Sequence, residues 1–92
     1  MSIRSIRRAI REGRYSFTSH ALEEMDEDDL THDEVCETLL HGKQIGVLTD
    51  DPRGLRFVVR GTPEGQAIQV EVVCRFLPSG LLRIITVYAI EE

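Results

Sequence analysis

The spacing of hydrophobic side chains predicts a helix at the start of the chain. Ile3, Ile6 and Ile10 recur three and four residues apart, which is the period of one helix face. Ser2 can cap the first turn, and Gly13 can end the helix. Arginines fill most of the remaining positions. The pattern therefore predicts a short amphipathic helix with a basic exposed side.

Two further helices are predicted before the hydrophobic period changes. An extended bridge comes first, after which Thr18 or Ser19 can cap a helix. Thr31 and Glu34 stand at the spacing of a capping box, in which each side chain bonds the backbone amide of the other residue. Gly42 can end this helix as its C′ residue. Caps and first-turn carboxylates therefore explain most of the acidic residues in this region.

From Gln44 onward, hydrophobic and polar residues nearly alternate, which is the period of a strand. Three Pro-x-Gly triplets interrupt this half, and such triplets form the turns that join antiparallel strands. The predicted strands lie at about 44–50, 55–61, 67–76 and 81–90. The predicted fold class is α+β, with two to three N-terminal helices packed on one face of a four-stranded antiparallel β-meander.

Strand periodicity also predicts which side chains share a face of the sheet. Three-residue loops place Asp50 opposite Arg56 and Arg75 opposite Arg83. Thr86 and Tyr88 are assigned to the face covered by helices. The apolar residues of that face are Ile45, Val47, Leu55, Phe57, Val59, Ile68, Val70, Val72, Leu82 and Ile84. The opposite face receives Arg56, Arg60, Gln69, Glu71, Arg75 and Arg83.

Charge is distributed unevenly along the chain. Its 92 residues and 10.5 kDa predict a single domain over residues 1–92. The formal net charge is −5, but the basic helix of residues 1–14 carries +4, the acidic helical segment 15–42 carries −9, and the sheet segment 43–92 sums to zero. An acidic chain argues against binding nucleic acid by charge alone, although two local basic surfaces exist.

The composition predicts a cytoplasmic protein without a membrane span. The longest apolar stretch is far shorter than the roughly 20 residues that cross a bilayer, and the first residues lack the apolar core of a secretion signal. Cys36 and Cys74 are then expected to remain reduced. A chain this short buries a limited share of its surface, so a homodimer or a complex with a partner protein is a further expectation.

The arginines of the first helix have two interpretations. In one, the isoleucines dock the helix, and the arginines are solvated or paired with the acidic segment. In the other, they form a basic arm that contacts RNA or a partner protein. The candidate contact residues are Arg4, Arg7, Arg8 and Arg11, together with Arg75 on the sheet.

The arginine-bearing face also has two interpretations. Arg75 and Arg83 repel each other unless a negative group lies beside them, and Glu71 is the local candidate. Alternatively, the pair forms a site for an oxyanion such as a phosphate, which guanidinium groups bind well.

The sequence contains the residue types that a metal-free ribonuclease needs. Such an enzyme requires an acid or base near the ribose 2′-OH, cations for the phosphate charge, and a group that positions the base. His20 fits the first role because the start of a helix favours neutral imidazole; the alternative is an ordinary surface histidine. Tyr88 or Tyr15 fits the third. The candidate cations are Arg56, Arg60, Arg75 and Arg83.

No metal or cofactor is predicted. His32 and Cys36 share a helix face, but His41 lies off that face and no third ligand stands at metal spacing. The sequence also lacks a phosphate-cradling glycine loop, a nucleophile elbow and a dinucleotide fingerprint.

Several short motifs resemble a known family. They are the run from Phe17 to Met25, the pair Leu30-Thr31, a helix ending near Gly42, and paired strands closing on Thr86-Val87-Tyr88. Together they look like a family of short prokaryotic domains of unknown function. That family is grouped with the RelE and MqsR toxins, in the barnase/EndoU/colicin/RelE-type nuclease fold.

The resemblance covers about residues 15–90 and implies helices packed on an antiparallel sheet. It also implies an endoribonuclease toxin that pairs with a small antitoxin. Carried over by position, the histidine of the family corresponds to His20, its mid-sheet arginine to Arg60, and its closing Thr-x-Tyr to Thr86 and Tyr88.

Three functional hypotheses follow. The first is a toxin-like ribonuclease with His20 as acid or base and with Arg56, Arg60 and Arg83 on the scissile phosphate. The second is a non-catalytic interaction module that docks a protein through the basic helix or the open sheet. The third is a small homodimeric domain.

Overall fold

The computed structural model describes residues 3–65 and 67–90. Within them the chain forms three helices and five strands. The helices are α1 (Ile3–Arg11), α2 (Ser19–Glu27) and α3 (His32–His41). The strands are β1 (Tyr15–Phe17), β2 (Lys43–Leu48), β3 (Arg56–Gly61), β4 (Gln69–Phe76) and β5 (Leu82–Ile90). The predicted cap Ser2 lies outside the described residues.

The strands form one mixed sheet in the order β1-β5-β4-β3-β2. Strands β2 to β5 are consecutive antiparallel neighbours, so the α+β class and the meander are confirmed. The prediction missed β1, which runs parallel to β5 where only an extended bridge was expected. The Leu82 amide donates to the Arg14 carbonyl, and the Thr18 amide donates to the Ile84 carbonyl, each at 3.0 Å. Three residues are too few to show a strand period.

The predicted N-caps of α2 and α3 are confirmed. Thr18 Oγ1 accepts the Ala21 amide at 3.1 Å. Thr31 Oγ1 accepts the Glu34 amide at 3.1 Å, and the Thr31 amide donates to Glu34 Oε1 at 2.9 Å, which completes the capping box. Local hydrogen bonds therefore fix where both helices begin.

Gly42 ends α3, but for a different reason from the one predicted. Its backbone is extended rather than left-handed. A Cβ at this position would lie 2.4 Å from the Thr38 carbonyl oxygen and 2.7 Å from the Arg60 carbonyl oxygen. Glycine is therefore required by the close approach of α3 to β3.

The helices cover one face of the sheet. The helical half contributes Ile6, Ala9, Ile10, Ala21, Met25, Leu30, Val35 and Leu39 to the core. The strands contribute Phe57, Val59, Val70, Val72, Cys74, Leu82, Ile84 and Val87. Ile45 and Leu55, which were predicted for this core, are instead 44% and 45% exposed, because Ile45 lies at a bulge and Leu55 lies in a loop. The other face carries no described helix and is called the open face below.

A bulge in β5 reverses the predicted orientation of Thr86 and Tyr88. Neighbouring residues 73 and 74 of β4 pair with residues 86 and 84 of β5, so Ile85 is an extra residue. One inserted residue inverts the alternation of side chains beyond it. Val87 therefore enters the core, while Thr86 and Tyr88 lie on the open face. Their assignment to the covered face was wrong.

The connection between β2 and β3 is longer than the predicted three-residue turn. Leu48, rather than Asp50, pairs with Arg56, and seven residues separate the two strands. Asp50 still reaches this arginine, because Arg56 Nη2 donates to Asp50 Oδ1 at 2.8 Å. The predicted pairing of Arg75 with Arg83 is confirmed.

Helix α2 covers the part of the β5 edge that lies beyond β1. Glu24 Oε1 accepts the Val87 amide at 3.0 Å, and Asp28 Oδ2 accepts the Ala89 amide at 2.8 Å. Four helical residues and two strand residues both advance about 6–7 Å, so the two spacings match. The carboxylates thus replace a missing neighbouring strand. This role explains two members of the acidic segment.

We expect Asp28→Ala to lower the free energy of unfolding by about 1–3 kcal/mol, because the part-buried Ala89 amide then loses its acceptor. Asp26→Ala is the matched control, since Asp26 is exposed on the same helix. Urea unfolding followed by circular dichroism measures both variants. Equal destabilisation by the two substitutions would contradict the proposed role of α2.

Candidate functional site

Side chains of the open face form three rows that cross the strands. Residues directly opposite one another share a row, and successive rows lie about 7 Å apart. The first row contains Tyr88, Glu71, Arg60 and Lys43. The second contains Thr86, Val73, Val58 and Gly46. The third contains Ser16, Arg83, Arg75, Arg56 and Leu48. The four arginines predicted to share a face therefore do so.

The first row is held together by one carboxylate. Arg60 Nε and Nη2 donate to Glu71 Oε1 at 3.2 and 2.7 Å, and the Tyr88 hydroxyl donates to the other carboxylate oxygen. Burial raises the pKa of Glu71, but the hydrogen bonds from Tyr88 and Arg60 outweigh it, so the pKa is lowered overall. The same hydrogen bond raises the pKa of Tyr88. At neutral pH an anionic Glu71 therefore lies between a cation and a protonated phenol.

Asp51 binds Arg53 and also lies beside two arginines of the third row. Its side chain is only 7% exposed, and Oδ2 lies 3.4 Å from Arg75 Nη1 and 3.7 Å from Arg56 Nε. Hydrogen bonds from Arg53 and its charge, and then the charge of Arg75, lower the pKa of Asp51 to about 2. The anion beside Arg75 is therefore Asp51, and the expectation that Glu71 fills this role was wrong.

Arg83 has no such counterion among residues 3–65 and 67–90. Its Nε is buried without a hydrogen-bond partner there. Ser16 pairs with Arg83 across the parallel ladder, and its Oγ is also buried without a hydrogen-bond partner in these residues. Arg75 flanks the pair on β4. Unsatisfied polar atoms beside two guanidinium groups make this corner of the open face the part most able to attract an anion.

His20 lies in the first turn of α2, beside the outer edge of β5. Its Nε2 is 3.2 Å from Glu24 Oε1, the same oxygen that accepts the Val87 amide. The His20 side chain is 62% exposed, whereas that of Glu24 is 22% exposed. A carboxylate anchored to the backbone thus orients an accessible imidazole. General acid–base catalysis uses this arrangement.

The predicted site residues are spread over all three rows of the open face, and the helical spacing places His20 beside β5 about two residues before Val87. Glu24 connects His20 to the strand position next to Tyr88, and Arg60 lies in the same row as that tyrosine, two strands away. Thr86 lies in the middle row. The opposite end, about 13 Å away along the strands, holds the remaining arginines. They are Arg56, Arg75 and Arg83.

The arginines of α1 lie away from the open face, because α1 packs on the covered side of the sheet. Arg8 Nε donates to Glu12 Oε2 at 3.1 Å. Arg7 Nη2 donates to the carbonyl oxygen that ends α3, at 3.0 Å. Arg4 and Arg11 are exposed. The expected pairing with the acidic segment is thus replaced at Arg7 and Arg8 by other acceptors.

Tyr15, the alternative to Tyr88 for positioning a base, is engaged elsewhere. Its hydroxyl lies 2.6 Å from His32 Nε2, and its ring packs edge-on against Phe17. A hydrogen bond with the Cys36 side chain, followed by burial, raises the pKa of Tyr15 to about 12. Tyr88 is therefore the tyrosine that the open face presents.

Sequence reasoning missed three residues of this region. Asp51 precedes a Pro-x-Gly triplet, and its Oδ1 accepts the Arg53 amide at 2.9 Å in an Asx-type turn that the sequence could have indicated. Glu24 follows His20 by four residues, which places both on one helix face. Ser16 had no sequence signal, because its place depends on the unpredicted parallel strand.

The described part of the chain shows neither a metal cluster nor a spanning helix. Within residues 3–65 and 67–90, no three His, Cys, Asp or Glu side chains are grouped so that they could hold a metal ion. No helix in the same residues has the length and apolarity needed to cross a bilayer.

The fold and the open face define a small α+β protein with helices on one side of its sheet. The chain belongs to the family described as domain of unknown function DUF4258, which it matches over residues 17–89. The match begins after α1 and includes α2, α3 and strands β2 to β5. No curated protein and no solved structure shows significant similarity to the chain. The predicted membership of a domain family of unknown function is confirmed.

We expect Asp51→Asn to destabilise the fold at neutral pH, because Arg53 then loses its closest ion pair and Arg75 and Arg56 lose their shared counterion. The pKa of Asp51 is lower in the folded than in the unfolded protein. Its contribution is therefore complete above the ordinary value of 3.8 and disappears as pH falls through about 2. The difference in urea midpoint between wild type and Asp51→Asn should therefore shrink as the pH is lowered from 3.8 to about 2.

Asp50→Asn is the control for this substitution. Asp50 contacts Arg56 as well, but its side chain is 80% exposed, so we expect little change in the midpoint. Indistinguishable midpoints for wild type and Asp51→Asn at pH 7 would show that Asp51 does not neutralise the third row.

Proposed function

We propose that this protein is a metal-independent endoribonuclease that binds RNA on its open face and uses His20 for proton transfer. The observation that carries the proposal is the accessible His20 imidazole, which Glu24 orients at the edge of an arginine-bearing sheet. Proton transfer requires a positioned group with a solvent-accessible nitrogen. The His20 side chain is 62% exposed, and its Nε2 lies 3.2 Å from Glu24 Oε1.

The proposed reaction is a transesterification of the RNA backbone. His20 accepts the proton of a ribose 2′-hydroxyl, and the 2′-oxygen forms a bond to phosphorus. The bond from phosphorus to the 5′-oxygen breaks, and this oxygen takes a proton from water. The products are a 2′,3′-cyclic phosphate and a 5′-hydroxyl end. Glu24 stabilises the imidazolium formed in the first step.

Two arginines at opposite ends of the open face are best suited to phosphate charge, and each binds a different phosphate of the RNA. Arg60 binds Glu71 through Nε and Nη2, which leaves its Nη1 without a hydrogen bond to residues 3–65 and 67–90. Arg83 has no counterion in these residues. Guanidinium groups aimed at a phosphate stabilise the charge that builds in the transition state.

The remaining residues of the site bind and position the RNA. Arg56 and Arg75 share the counterion Asp51, which reduces the repulsion between them. The third row nevertheless keeps a net positive charge. Tyr88 is 37% exposed, and its ring offers a surface on which a base can stack. Thr86 lies between the two charged rows, where it contacts the part of the RNA that runs from one row to the other.

The proposal includes a protein antitoxin. The run around His20 and the closing Thr86 and Tyr88 resemble a domain family that is grouped with the RelE and MqsR toxins, and this resemblance implies such a partner. An acidic segment seated on the open face would complement Arg60 and Arg83 and would block access to His20 at the same time. Charge complementarity of this kind favours fast and specific association.

A second candidate function is a non-catalytic interaction module or homodimeric domain. The observation that favours it is the exposed apolar edge of β2, where Ile45, Val47 and Leu48 are 44%, 42% and 38% exposed. Exposed apolar clusters of this kind mark contact surfaces between proteins. This edge lies across the sheet from His20, so the two functions are compatible.

We expect His20→Ala to reduce RNA cleavage by about 10²–10⁴-fold, because the acid–base group is lost. Cleavage of a fluorescent RNA oligonucleotide in excess EDTA measures the rate. His41→Ala is the control, since His41 is an exposed histidine at the end of α3. Circular dichroism verifies the fold of both variants.

Three results would contradict the ribonuclease proposal. The first is a wild-type protein that does not cleave RNA, and the second is equal cleavage by wild type and His20→Ala. The third is an equal loss of cleavage rate in the His20→Ala and His41→Ala variants. The expected cyclic phosphate end is identified by mass spectrometry of the products.

We expect Arg83→Gln to weaken binding of a non-cleavable 2′-O-methyl oligonucleotide for all sequences alike. Loss of one phosphate contact should reduce the slope of log K against log salt by about 1. Fluorescence anisotropy at several salt concentrations measures this slope. Arg11→Gln on exposed α1 is the control and should leave it unchanged. An unchanged slope for Arg83→Gln would remove Arg83 from the RNA site.

A further inference from the structure

Strand β2 forms one edge of the sheet, and its outer side pairs with no described strand. Four exposed large hydrophobic side chains of the described residues lie in this strand or in the loop after it: Ile45, Val47, Leu48 and Leu55. Edge strands usually carry charges, prolines or bulges that discourage pairing. Apolar side chains beside free backbone groups favour the addition of another strand.

The helical layer ends before it reaches β2. Val47 pairs with Phe57 and shares its side of the sheet. Phe57 is 3% exposed, whereas Val47 is 42% exposed. The covered face of β2 therefore lacks the packing that its neighbour receives from the helices.

We propose that a second copy of this chain occupies this edge, by antiparallel pairing of the two β2 strands about a two-fold axis at Val47. An axis perpendicular to the sheet keeps both helical layers on the same side, so paired residues have like orientation. Val47 then faces Val47 of the second copy, and Leu48 faces Gly46. The two sheets join into one continuous sheet.

The shapes of Leu48 and Gly46 favour this register. Leu48 is 38% exposed on the open face, and Gly46 lies on the same face two residues earlier. A Cβ at Gly46 would meet nothing within 4 Å, so the space above it is empty. Pairing at Val47 places each Leu48 over that space in the other copy. A shift of two residues places Leu48 against either Gln44 or another Leu48 and loses this fit.

The charges at the two ends of the strand also favour a second copy. Lys43 begins β2 and makes no ion pair with residues 3–65 and 67–90, while Asp50 follows the strand with a side chain that is 80% exposed. Antiparallel pairing at Val47 brings the end of each strand that carries Lys43 toward the end of the other strand that Asp50 follows. The strand is thus complementary to itself in both charge and shape.

The bulge at Ile45 limits the length of this ladder. The strand register shifts between Gln44 and Gly46, so regular pairing extends over only a few residues on either side of Val47. Small interfaces of this kind give weak complexes. We therefore expect a dimer that dissociates on dilution in the micromolar range. This inference does not rest on the ribonuclease proposal.

Sedimentation equilibrium from micromolar to millimolar concentration tests the dimer. We expect a monomer–dimer equilibrium for the wild-type protein and a monomer for Leu48→Lys, since a charge then replaces the apolar contact. Leu22→Lys is the matched control, because Leu22 is 51% exposed on α2, and it should dimerise normally. A monomeric wild type, or equal behaviour of the two variants, would overturn the proposal.

Disulfide cross-linking tests the register. Directly opposed strand residues have Cα atoms about 4.5–5.5 Å apart, within the range of a disulfide. In a Cys36→Ser background, Val47→Cys should form a covalent dimer under mild oxidation, while Leu22→Cys should not. Cys74 is buried and does not interfere. Cross-linking no greater for Val47→Cys than for Leu22→Cys would exclude the register. A monomeric protein that binds an extended foreign peptide at β2 would show that another protein, and not a second copy, occupies this edge.

Discussion

Pairing of the β5 backbone along both of its edges determines the geometry of the site. Strand β4 pairs with one edge, and the other is divided between β1 and the carboxylates of α2. A buried amide without an acceptor costs about 1–3 kcal/mol, so α2 is held where Glu24 meets Val87. That position fixes His20. The bulge at Ile85 then turns Tyr88 to the open face.

Carboxylates make a dense set of arginines compatible with a stable sheet. Glu71 binds Arg60 in the first row, and Asp51 lies between Arg56 and Arg75 in the third. Like charges on neighbouring strands would otherwise destabilise the pairing. Because this compensation is local and incomplete, the face stays basic although the chain is acidic overall. The proposed binding of RNA depends on this contrast, because phosphate contacts require a locally basic surface.

Features that depend on neighbouring residues could be predicted from the sequence. The meander follows from three Pro-x-Gly turns, and the start of α3 follows from the Thr31 capping box. The orientation of Tyr88 could not be predicted, since the bulge at Ile85 arises from pairing with β4 and has no local signal. The site was found in part: residue type identified the histidine and the arginines. Asp51 and Ser16 enter it through contacts between distant segments.

The central claim is that RNA lies on the open face with His20 at its edge. Mapping of chemical shifts on adding a non-cleavable 2′-O-methyl oligonucleotide tests it most directly. The account predicts changes at the His20 imidazole and at the open-face residues of β3, β4 and β5, with α1 unaffected. Changes confined to α1, or none at saturating oligonucleotide, would contradict it.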